Sequence, residues 1–553
     1  MSVDWKGLSH DILKQIFAFC DKDGLTRCAR TCKNWKDPSL DLLWFDLRIE
    51  DFEHIFAILA PLLPVAGQPH NGVTRLRFSR RITHRDWRRF IPYASRVRHV
   101  DGFHRDEDYR ILSETAFAEL LMTRPAKTPL FPRARRFEVD GDLIPYFPGL
   151  KVFLNLLHED LREFTLNISE ESPDEIVKFF EEVVWRSPNI TNLDIETSLN
   201  DFNEDMKNSL ISSISALRRL TTVAIYPGLL TAQLFSALQQ LPDLQEVRDF
   251  FSDSLSRAAR ITNETLPHTI PSNAFPRLTR LTLHCSFAEL YRYLSLGKGF
   301  APRLRHLDIG VVSKFKPANL RIALLKIAET FPLLEHLRII QTDCPSALVV
   351  ERDPTGSKES LNRRSLNPLT RLRSLHTFIL RCDEVVSMAN DELCAILSQC
   401  TSLKYLILNH EPLALPTTEL TLDVLPMLAQ KCPQLLQLCL FVDTDVEDAE
   451  TVTSHTFEKM TSIDFGISPV HDKRVITKLL AQVLPEECIL MSNPAHTSDI
   501  EALLVSPEDR KTREERRKEW AEISQWIPVL FDFYYLYEEI NSTTTSEVAV
   551  QVG

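Results

Sequence analysis

Glycine is scarce in this chain, with 14 residues among 553, whereas proline is plentiful at 32. Nucleotide-binding folds need clustered glycines where the backbone approaches a phosphate closely. The shortage of glycine therefore argues against Gly-rich phosphate loops, and the prolines indicate regular punctuation between short elements. Because the chain is well above single-domain size, either several domains or a repeat array is expected.

Positive charge is also in deficit. Lys and Arg number 64 against 76 Asp and Glu, so the net charge is -12. Because proteins bind nucleic-acid backbones through Lys and Arg, we expect no nucleic-acid partner. Short basic runs at residues 85–89 and 133–136 are interpreted as solvated faces.

Long hydrophobic runs are missing. The most apolar stretch, residues 55–66, is short and contains Pro61 and Pro64, so it is not expected to span a bilayer. The N-terminus has no basic start followed by an apolar run, and the 11 cysteines are odd in number and scattered. We expect a soluble intracellular protein with reduced thiols, cytoplasmic and/or nuclear, and with no membrane partner.

Motifs that carry chemistry are missing as well. The sequence has no Gly-x-Ser-x-Gly, no Walker loop, no dinucleotide fingerprint, no His-Glu-x-x-His and no Cys-x-x-Cys. Cys28 and Cys32 lie one helical turn apart, but no second ligand pair follows, so they are assigned to a core. We therefore expect no enzyme activity, no cofactor and no metal.

What the sequence does contain is, first, a small helical module. Residues 8–20 carry apolar side chains at helical spacing, with Ser9 placed as N-cap. A second helix is predicted from Leu25 to Trp35, with a break at Pro38. Because so few helices cannot bury all of these apolar side chains among themselves, the spare surface is expected to dock onto another element or protein.

The order and spacing of these residues resemble the F-box family over roughly residues 5–47, although Ser9 stands where the family usually has proline. The residues that carry the resemblance are Leu8, Ile12, Leu13, Ile16, Phe17, Asp21, Leu25, Cys32, Lys33, Asn34, Trp35, Leu43 and Trp44. The resemblance implies docking to a Skp-type adaptor, and through it to a cullin. The residues implied as adaptor contacts are Leu8, Ile12, Leu13, Ile16 and Phe17. The alternative is a helical cap that seals the first repeat.

The rest of the chain repeats one motif, apolar-x-x-apolar-x-apolar, at intervals of 24 to 41 residues. The clearest copies begin at Leu278, Leu304, Leu334, Leu375, Leu403, Leu435 and Met460. Amphipathic helices that end at a proline lie between the copies. One strand and one helix per unit is the leucine-rich-repeat pattern, so the predicted fold is an α/β solenoid, a horseshoe with a parallel sheet on its concave side. A doubly wound α/β fold, the rival, would show a Gly-rich turn after a strand.

The predicted domain plan has four parts. The F-box spans 1–47, and an irregular leucine-rich-repeat-like solenoid spans 48–490, with insertions near 250–275 and 341–372. A C-terminal helical cap spans 491–540, in which Trp526, Val529 and Leu530 are among the residues expected to seal the last repeat. A disordered tail spans 541–553.

Residues between the motif positions are expected to face the concave surface. The central column is predicted to run through Thr282, Asp308, Arg338, Ile379, Ile407, Cys439 and Asp464. A possible substrate-binding patch of apolar residues comprises Ile379, Tyr405, Ile407, Cys439 and Phe441, unless the C-terminal segment or an inserted loop covers it. His284, His306 and His336 are three imidazoles that could bind a metal or sense pH, and are interpreted as part of a solvated polar face.

The resemblance implies a function. Such a protein would be the substrate-recognition subunit of an SCF-type (Skp-cullin-F-box) ubiquitin ligase, with the solenoid holding an unknown protein substrate and supplying no catalytic group. Fungal proteins with degenerate repeats behind an F-box are similar to this chain. The alternative is a non-catalytic repeat scaffold or adaptor that acts without ubiquitination.

Overall fold

The structure is a computed structural model, and its described part excludes several short segments and both ends of the chain. The described residues are 8–65, 73–102, 109–126, 128–139, 150–168, 173–197, 202–249, 266–271, 273–296, 299–312, 316–341, 360–382, 384, 386–412, 415, 417–445, 455–492 and 505–550. Most of the predicted insertions near 250–275 and 341–372 lie outside these residues.

Helices and strands alternate through most of the chain. The helices are α1 (His10–Phe17), α2 (Lys22–Thr31), α3 (Lys33–Leu43), α4 (Phe52–Phe56), α5 (His84–Ala94), α6 (Glu114–Thr123), α7 (Pro173–Arg186), α8 (Glu204–Ala216), α9 (Ala232–Leu238), α10 (Phe287–Leu296), α11 (Pro317–Thr330), α12 (Arg363–Leu366), α13 (Asn390–Leu397), α14 (Val424–Lys431), α15 (Lys473–Val483) and α16 (Pro507–Val550). Among the described helices, none is both long enough and apolar enough to cross a bilayer.

Each of the seven clearest motif copies coincides with one strand, as predicted. The strands are β1 (Asp46–Arg48), β2 (Leu62–Pro64), β3 (Val73–Phe78), β4 (His99–Asp101), β5 (Tyr109–Leu112), β6 (Arg136–Val139), β7 (Glu163–Ile168), β8 (Asn192–Thr197), β9 (Thr222–Ile225), β10 (Glu246–Asp249), β11 (Arg280–Cys285), β12 (His306–Val311), β13 (His336–Gln341), β14 (Thr377–Arg381), β15 (Tyr405–Leu408), β16 (Gln437–Leu440), β17 (Ser462–Asp464) and β18 (Ile489–Met491). Fifteen of them belong to a parallel sheet. The predicted fold class, an α/β solenoid behind a small helical module, is confirmed.

The chain divides into two compact units. The first comprises Met1–Leu229 and Ala237–Gln245, and the second comprises Leu230–Ser236 and Glu246–Gly553. In the first unit, the helical module α1 to α3 precedes six strands of the parallel sheet in the order β1-β4-β6-β7-β8-β9. A separate small sheet in the same unit has the order β2-β3-β5.

The helical module closes around a small apolar core. Leu13, Phe17 and Leu25 are buried, and the ring of Trp35 meets that of Phe17 edge to face with centroids 5.2 Å apart. Ser9 caps α1 as predicted, because its hydroxyl accepts a hydrogen bond from the amide of Ile12. This satisfies one of the amides that a helix N-terminus leaves unpaired.

The predicted break at Pro38 is wrong. Helix α3 continues through Pro38, and the break comes instead at Cys32, whose φ of -158° and ψ of 168° are extended. Proline removes one backbone donor and disfavours a helix interior. Here Pro38 is buried in a helix that packs along α2, so tertiary packing overrides the local preference.

In the second unit, nine parallel strands follow one another in chain order from β10 to β18. The register confirms the predicted central column, since Thr282 pairs with Asp308, and the pairing continues strand by strand to Cys439 and Asp464. The connecting helices turn their predicted apolar stripes inward, as in α11, where Leu320, Leu324 and Ile327 are buried.

The long C-terminal helix α16 packs on α15, as a helical cap would, but with a different face from the one predicted. Its buried apolar residues are Trp520, Ile523 and Ile527, whereas Trp526 is 61% exposed. The helix also runs through residues 541–550, which were predicted to be disordered. Extending an existing helix costs much less free energy than nucleating a new one. A segment of weak helix formers can therefore be helical when it continues an existing helix.

Candidate functional site

Helix α1 presents two different apolar faces. Leu13 and Phe17 point into the module core, with 1% and 3% of their surface exposed. Ile12, Ile16 and Phe19 are 45%, 40% and 93% exposed. Residues 12, 16 and 19 are spaced four and three apart, which places side chains in a row at the helix surface and just beyond its C-terminus.

These positions change the predicted set of adaptor contacts. Of the five residues, Ile12 and Ile16 are accessible and Leu8 is half-buried against the module core. Leu13 and Phe17 are not accessible, because the module needs their side chains for its own core. Sequence reasoning missed Phe19, although its spacing from Ile12 and Ile16 was the available signal. The exposed row Ile12, Ile16 and Phe19 is called the α1 stripe below.

A polar network fixes α1 next to α3 and to the following repeat. The carboxylate of Asp41 lies 2.7 Å from Lys14 Nζ and 3.1 Å from His10 Nε2, and it also meets the guanidinium of Arg96. Burial raises the pKa of the Asp41 carboxyl, but the hydrogen bond from Lys14 and the charge of Arg96 outweigh burial, so the pKa lies below its usual value. The ionised carboxylate thereby holds the helix that carries the α1 stripe.

The predicted substrate-binding patch is only partly accessible. Ile379 and Ile407 pair across β14 and β15 and are half-buried, and Tyr405 is 37% exposed. Cys439 and Phe441 are buried, at 1% and 3% exposure, so they cannot contact a substrate in this conformation. The sequence placed them on the open face from the alternation around β16, but the structure buries both side chains.

The predicted histidine row is present and extends by one residue. The rings of His306 and His336 stack with centroids 4.1 Å apart, and His376 stacks on His336 at 6.1 Å, whereas His284 is buried. Partial burial lowers the pKa of His306 to about 4, with further contributions from His336 and Arg280. Burial and the neighbouring His376 also lower the pKa of His336. These two rings are therefore neutral near pH 7, which does not fit a pH sensor at that pH.

The arginines of the basic run at 133–136 are exposed, as predicted, and two of them also line a cavity. Arg133 and Arg135 line a cavity of about 450 Å³ together with Arg98 and Arg162, each from the turn that leads into a strand. Arg98 and Arg162 donate to the carbonyls of their own turns, at Ser95 and Glu159 among others. Burial and the charges of Arg133 and Arg135 lower the pKa of Arg98. The cavity is thus a place of concentrated positive charge in an acidic chain.

Comparison with known proteins gives one family match. Residues 10–50 match the model of the family described as F-box-like. No curated protein matches the chain.

Two solved structures illustrate the similarity to known folds. The crystal structure of the Rad7 and Elc1 complex in yeast is 17% identical over 62% of this chain and 80% of that chain, with a TM-score of 0.33. The TLR13–ssRNA13 complex is 12% identical over 81% of this chain and 66% of that chain, with a TM-score of 0.32. Neither similarity is close enough to support an argument about function. The family match and the geometry of α1 to α3 agree, and the chain carries an F-box-like domain at residues 10–50.

Proposed function

We propose that this chain is a substrate receptor of an SCF-type ubiquitin ligase. In this proposal the F-box-like domain docks a Skp-type adaptor, the adaptor links to a cullin, and the parallel sheet holds a protein substrate. The single observation that supports it most strongly is the α1 stripe, which lies inside the segment that matches the F-box-like family. The chain itself would supply no catalytic group.

The α1 stripe suits a protein partner on energetic grounds. Burying a large apolar side chain stabilises a contact by about 1.5–3 kcal/mol, so three such side chains give a useful docking energy. The core of the module does not need them, because Leu13 and Phe17 already fill it. Exposed apolar residues next to a closed core are typical of a protein contact surface.

The substrate-facing part of the proposal rests on β14 and β15. Ile379, Tyr405 and Ile407 form the accessible part of the predicted patch. A receptor of this kind raises the rate of ubiquitin transfer through effective concentration, since it holds substrate lysines near the conjugating enzyme. Its place of action would be the cytoplasm, the nucleus or both.

Co-purification with a Skp-type adaptor tests the adaptor contact. Wild-type chain is compared with an Ile16→Asp, Phe19→Asp double variant, which places two charges on the α1 stripe without touching the core. Met122→Asp is the matched control, because Met122 is an apolar residue at 86% exposure outside the F-box-like domain. We expect wild type and M122D to retain the adaptor and the double variant to lose it. Failure of wild type to bind any adaptor would overturn the proposal.

The scaffold alternative differs in what the adaptor brings with it. A receptor recovers the cullin along with the adaptor and supports ubiquitin transfer to a captured protein, whereas a scaffold recovers the adaptor alone. For the substrate face, Tyr405→Asp and Ile407→Asp are expected to reduce substrate capture while adaptor binding stays unchanged. Leu333→Asp, at another exposed apolar position of the second unit, is the matched control.

A further inference from the structure

Three potential metal ligands from three successive repeats meet inside the second unit. His410 follows β15, Cys439 lies in β16, and Asp464 ends β17. One ligand atom from each of the three lies within 4.8 Å of the other two. Cys439 and Asp464 are register partners, which fixes their separation through the backbone of the sheet.

The imidazole of His410 is buried without adequate hydrogen bonding. Its side chain is 8% exposed, and its Nδ1 atom has no hydrogen-bond partner. Its Nε2 atom lies 3.7 Å from Asp464 Oδ2, which is beyond hydrogen-bond distance. A buried polar atom left unpaired costs free energy, so such an atom in a folded protein calls for an explanation.

Cys439 and Asp464 are only partly hydrogen-bonded beside His410. Gln437 Nε2 lies 3.8 Å from Cys439 Sγ, and the amide of Gly466 donates to one carboxylate oxygen of Asp464. A divalent cation among the three side chains would take up the unpaired imidazole lone pair and would bind the Cys439 sulfur and the Asp464 carboxylate.

The backbone holds the ligands in place with an unusually close approach. Gly466 has φ +54°, and a Cβ atom at this position would lie 2.1 Å from the carbonyl oxygen of His410. The amide of Gly466 donates a 2.7 Å hydrogen bond to Asp464 Oδ1, which leaves Oδ2 facing His410. Gly466 therefore brings the loop after β17 against the loop after β15.

Helix α16 closes the loops beside the cluster. Arg513 Nη1 donates to the carbonyl of Pro412 at 2.6 Å, Arg517 pairs with Glu411 at 3.2 Å, and Trp520 Nε1 donates to the carbonyl of Ser468 at 3.0 Å. These contacts fix the residues that follow His410 and Asp464 in sequence.

The charges around the cluster are mixed. Glu411 and Asp464 carry the nearby negative charges, and Arg381, Arg513 and Arg517 carry the nearby positive ones. When a divalent ion binds and the thiol proton of Cys439 leaves to solvent, the site gains one positive charge. Binding therefore depends on direct coordination by the three ligands and not on the surrounding charges.

We propose that His410, Cys439 and Asp464 form a binding site for a borderline-soft divalent transition metal, with Zn²⁺ as the best-suited ion. Nitrogen, thiolate sulfur and carboxylate oxygen are the ligands that zinc takes in proteins, and three protein ligands leave one position for water. The three ligands come from three separate repeats, so no local spacing in the sequence reveals them, and no metal was predicted.

The described residues contain one competing cluster, formed by His306, Glu335 and His336. The rings of His306 and His336 lie only 7° from parallel. Because an imidazole nitrogen binds a metal in the plane of its ring, two parallel stacked rings hold their lone pairs in two separate planes, and no single ion lies in both. A variant of this cluster therefore serves as the control for metal binding at His410, Cys439 and Asp464.

The test is titration of the purified, metal-stripped full chain with Co²⁺ as the probe. We expect one tightly bound ion per chain by metal analysis and a thiolate-to-cobalt charge-transfer band in the near ultraviolet. Cys439→Ser is expected to remove the band, and His410→Gln to weaken binding at least about 10-fold, as expected on loss of one ligand. Cys400→Ser, at a buried thiol that donates to the carbonyl of Leu369, is expected to keep both band and affinity, as is the His306→Ala, His336→Ala variant.

Two results would overturn the proposal. One is a wild-type chain that binds no Co²⁺ with a charge-transfer band, and the other is a band that survives C439S. If C439S or H410Q fails to fold, protection of Cys439 from alkylation by bound Co²⁺ in wild type, read by mass spectrometry, decides the matter. An unprotected Cys439 would then count against the site. None of these outcomes depends on adaptor binding.

Discussion

Ile16 and Phe17 are neighbours in sequence, but Ile16 lies on the surface of the F-box-like domain and Phe17 lies in its core. Phe17 is 3% exposed and meets Trp35 in the core, whereas Ile16 is 40% exposed. One residue therefore stabilises the domain while the next is free to bind. A mutational study that treats the two as one apolar cluster would confuse loss of folding with loss of binding.

The first prediction separates these two effects. Phe17→Ala is expected to destabilise the domain by about 3–5 kcal/mol, since it removes a buried aromatic ring. Ile16→Asp is expected to change stability by no more than about 0.5 kcal/mol, because its side chain is already partly in water. Hydrogen exchange over residues 22–43 measures the difference. Equal exchange in the two variants would contradict the assigned faces of α1.

The second prediction concerns the C-terminal helix. Trp520 stacks on Phe465 with ring centroids 4.7 Å apart and is 2% exposed, whereas Trp526 is 61% exposed. Trp520→Ala is expected to cost about 3–5 kcal/mol and to release α16, seen as faster cleavage in limited proteolysis. Trp526→Ala is the matched control, and cleavage as fast as in W520A would disprove the assigned buried face.

The third prediction uses two glycines with positive φ. Gly466 has a backbone oxygen where a Cβ would go, whereas Gly299, with φ +92°, has nothing within 4 Å of that position. Gly299→Ala is expected to cost about 1 kcal/mol from backbone conformation alone. Gly466→Ala is expected to cost at least about 1–3 kcal/mol more, because the loops must separate. Thermal melts of both variants give the comparison, and similar melting temperatures would argue against the close approach.

The fourth prediction is a pH dependence at Asp86, which is buried in the first turn of α5. Arg80 donates to both of its carboxylate oxygens, at 2.7 and 2.9 Å, and Thr83 donates through its amide and hydroxyl. The hydrogen bonds from Arg80 and then those from Thr83 outweigh burial and hold the pKa of Asp86 well below its usual 3.8. The folded state therefore favours the carboxylate. This contribution to stability is fully present above about pH 5 and is lost as the pH falls below 3.8 toward the folded pKa.

Asp86→Asn tests this dependence. At pH 7 it is expected to destabilise the first unit by about 1.5–3 kcal/mol, the usual contribution of hydrogen bonds to a charged group. The gap between wild type and variant is expected to narrow as the pH is lowered from 5 to 3. Asp160→Asn is the control, because Asp160 is 68% exposed and 3.9 Å from its nearest cation, and it is expected to change little. A gap that stays constant with pH would show that the Asp86 charge is not what stabilises the fold.

The sequence predicted the register of the second unit well, from Thr282 to Asp464. A motif with one strand per repeat fixes which residues face the core, and parallel strands of equal pattern then align without further information. The same reasoning failed for Cys439 and Phe441, because alternation tells which face a residue occupies and not how deeply that position is buried.

The candidate adaptor site was predicted in part for a related reason. Residues 12, 13, 16 and 17 are all large and apolar, so helical spacing alone could not tell which pair the module would bury. Which pair is buried depends on where the packing of α2 and α3 places the side chains of Leu25 and Trp35. Pro38 shows the same limit, since packing kept α3 helical where local preference predicted a break.

The bond from Arg513 to Pro412 spans 101 residues of sequence. On the ribosome, the loops after β15 and β17 are therefore made well before the helix that closes them has been translated. During that interval Phe465 lacks the ring of Trp520 that stacks on it, and the carbonyls of Pro412 and Ser468 lack the donors that α16 supplies. A premature stop before residue 507 would make this loss permanent. Even a late truncation should therefore be recognised as damaged, although every described strand of the sheet has already been synthesised.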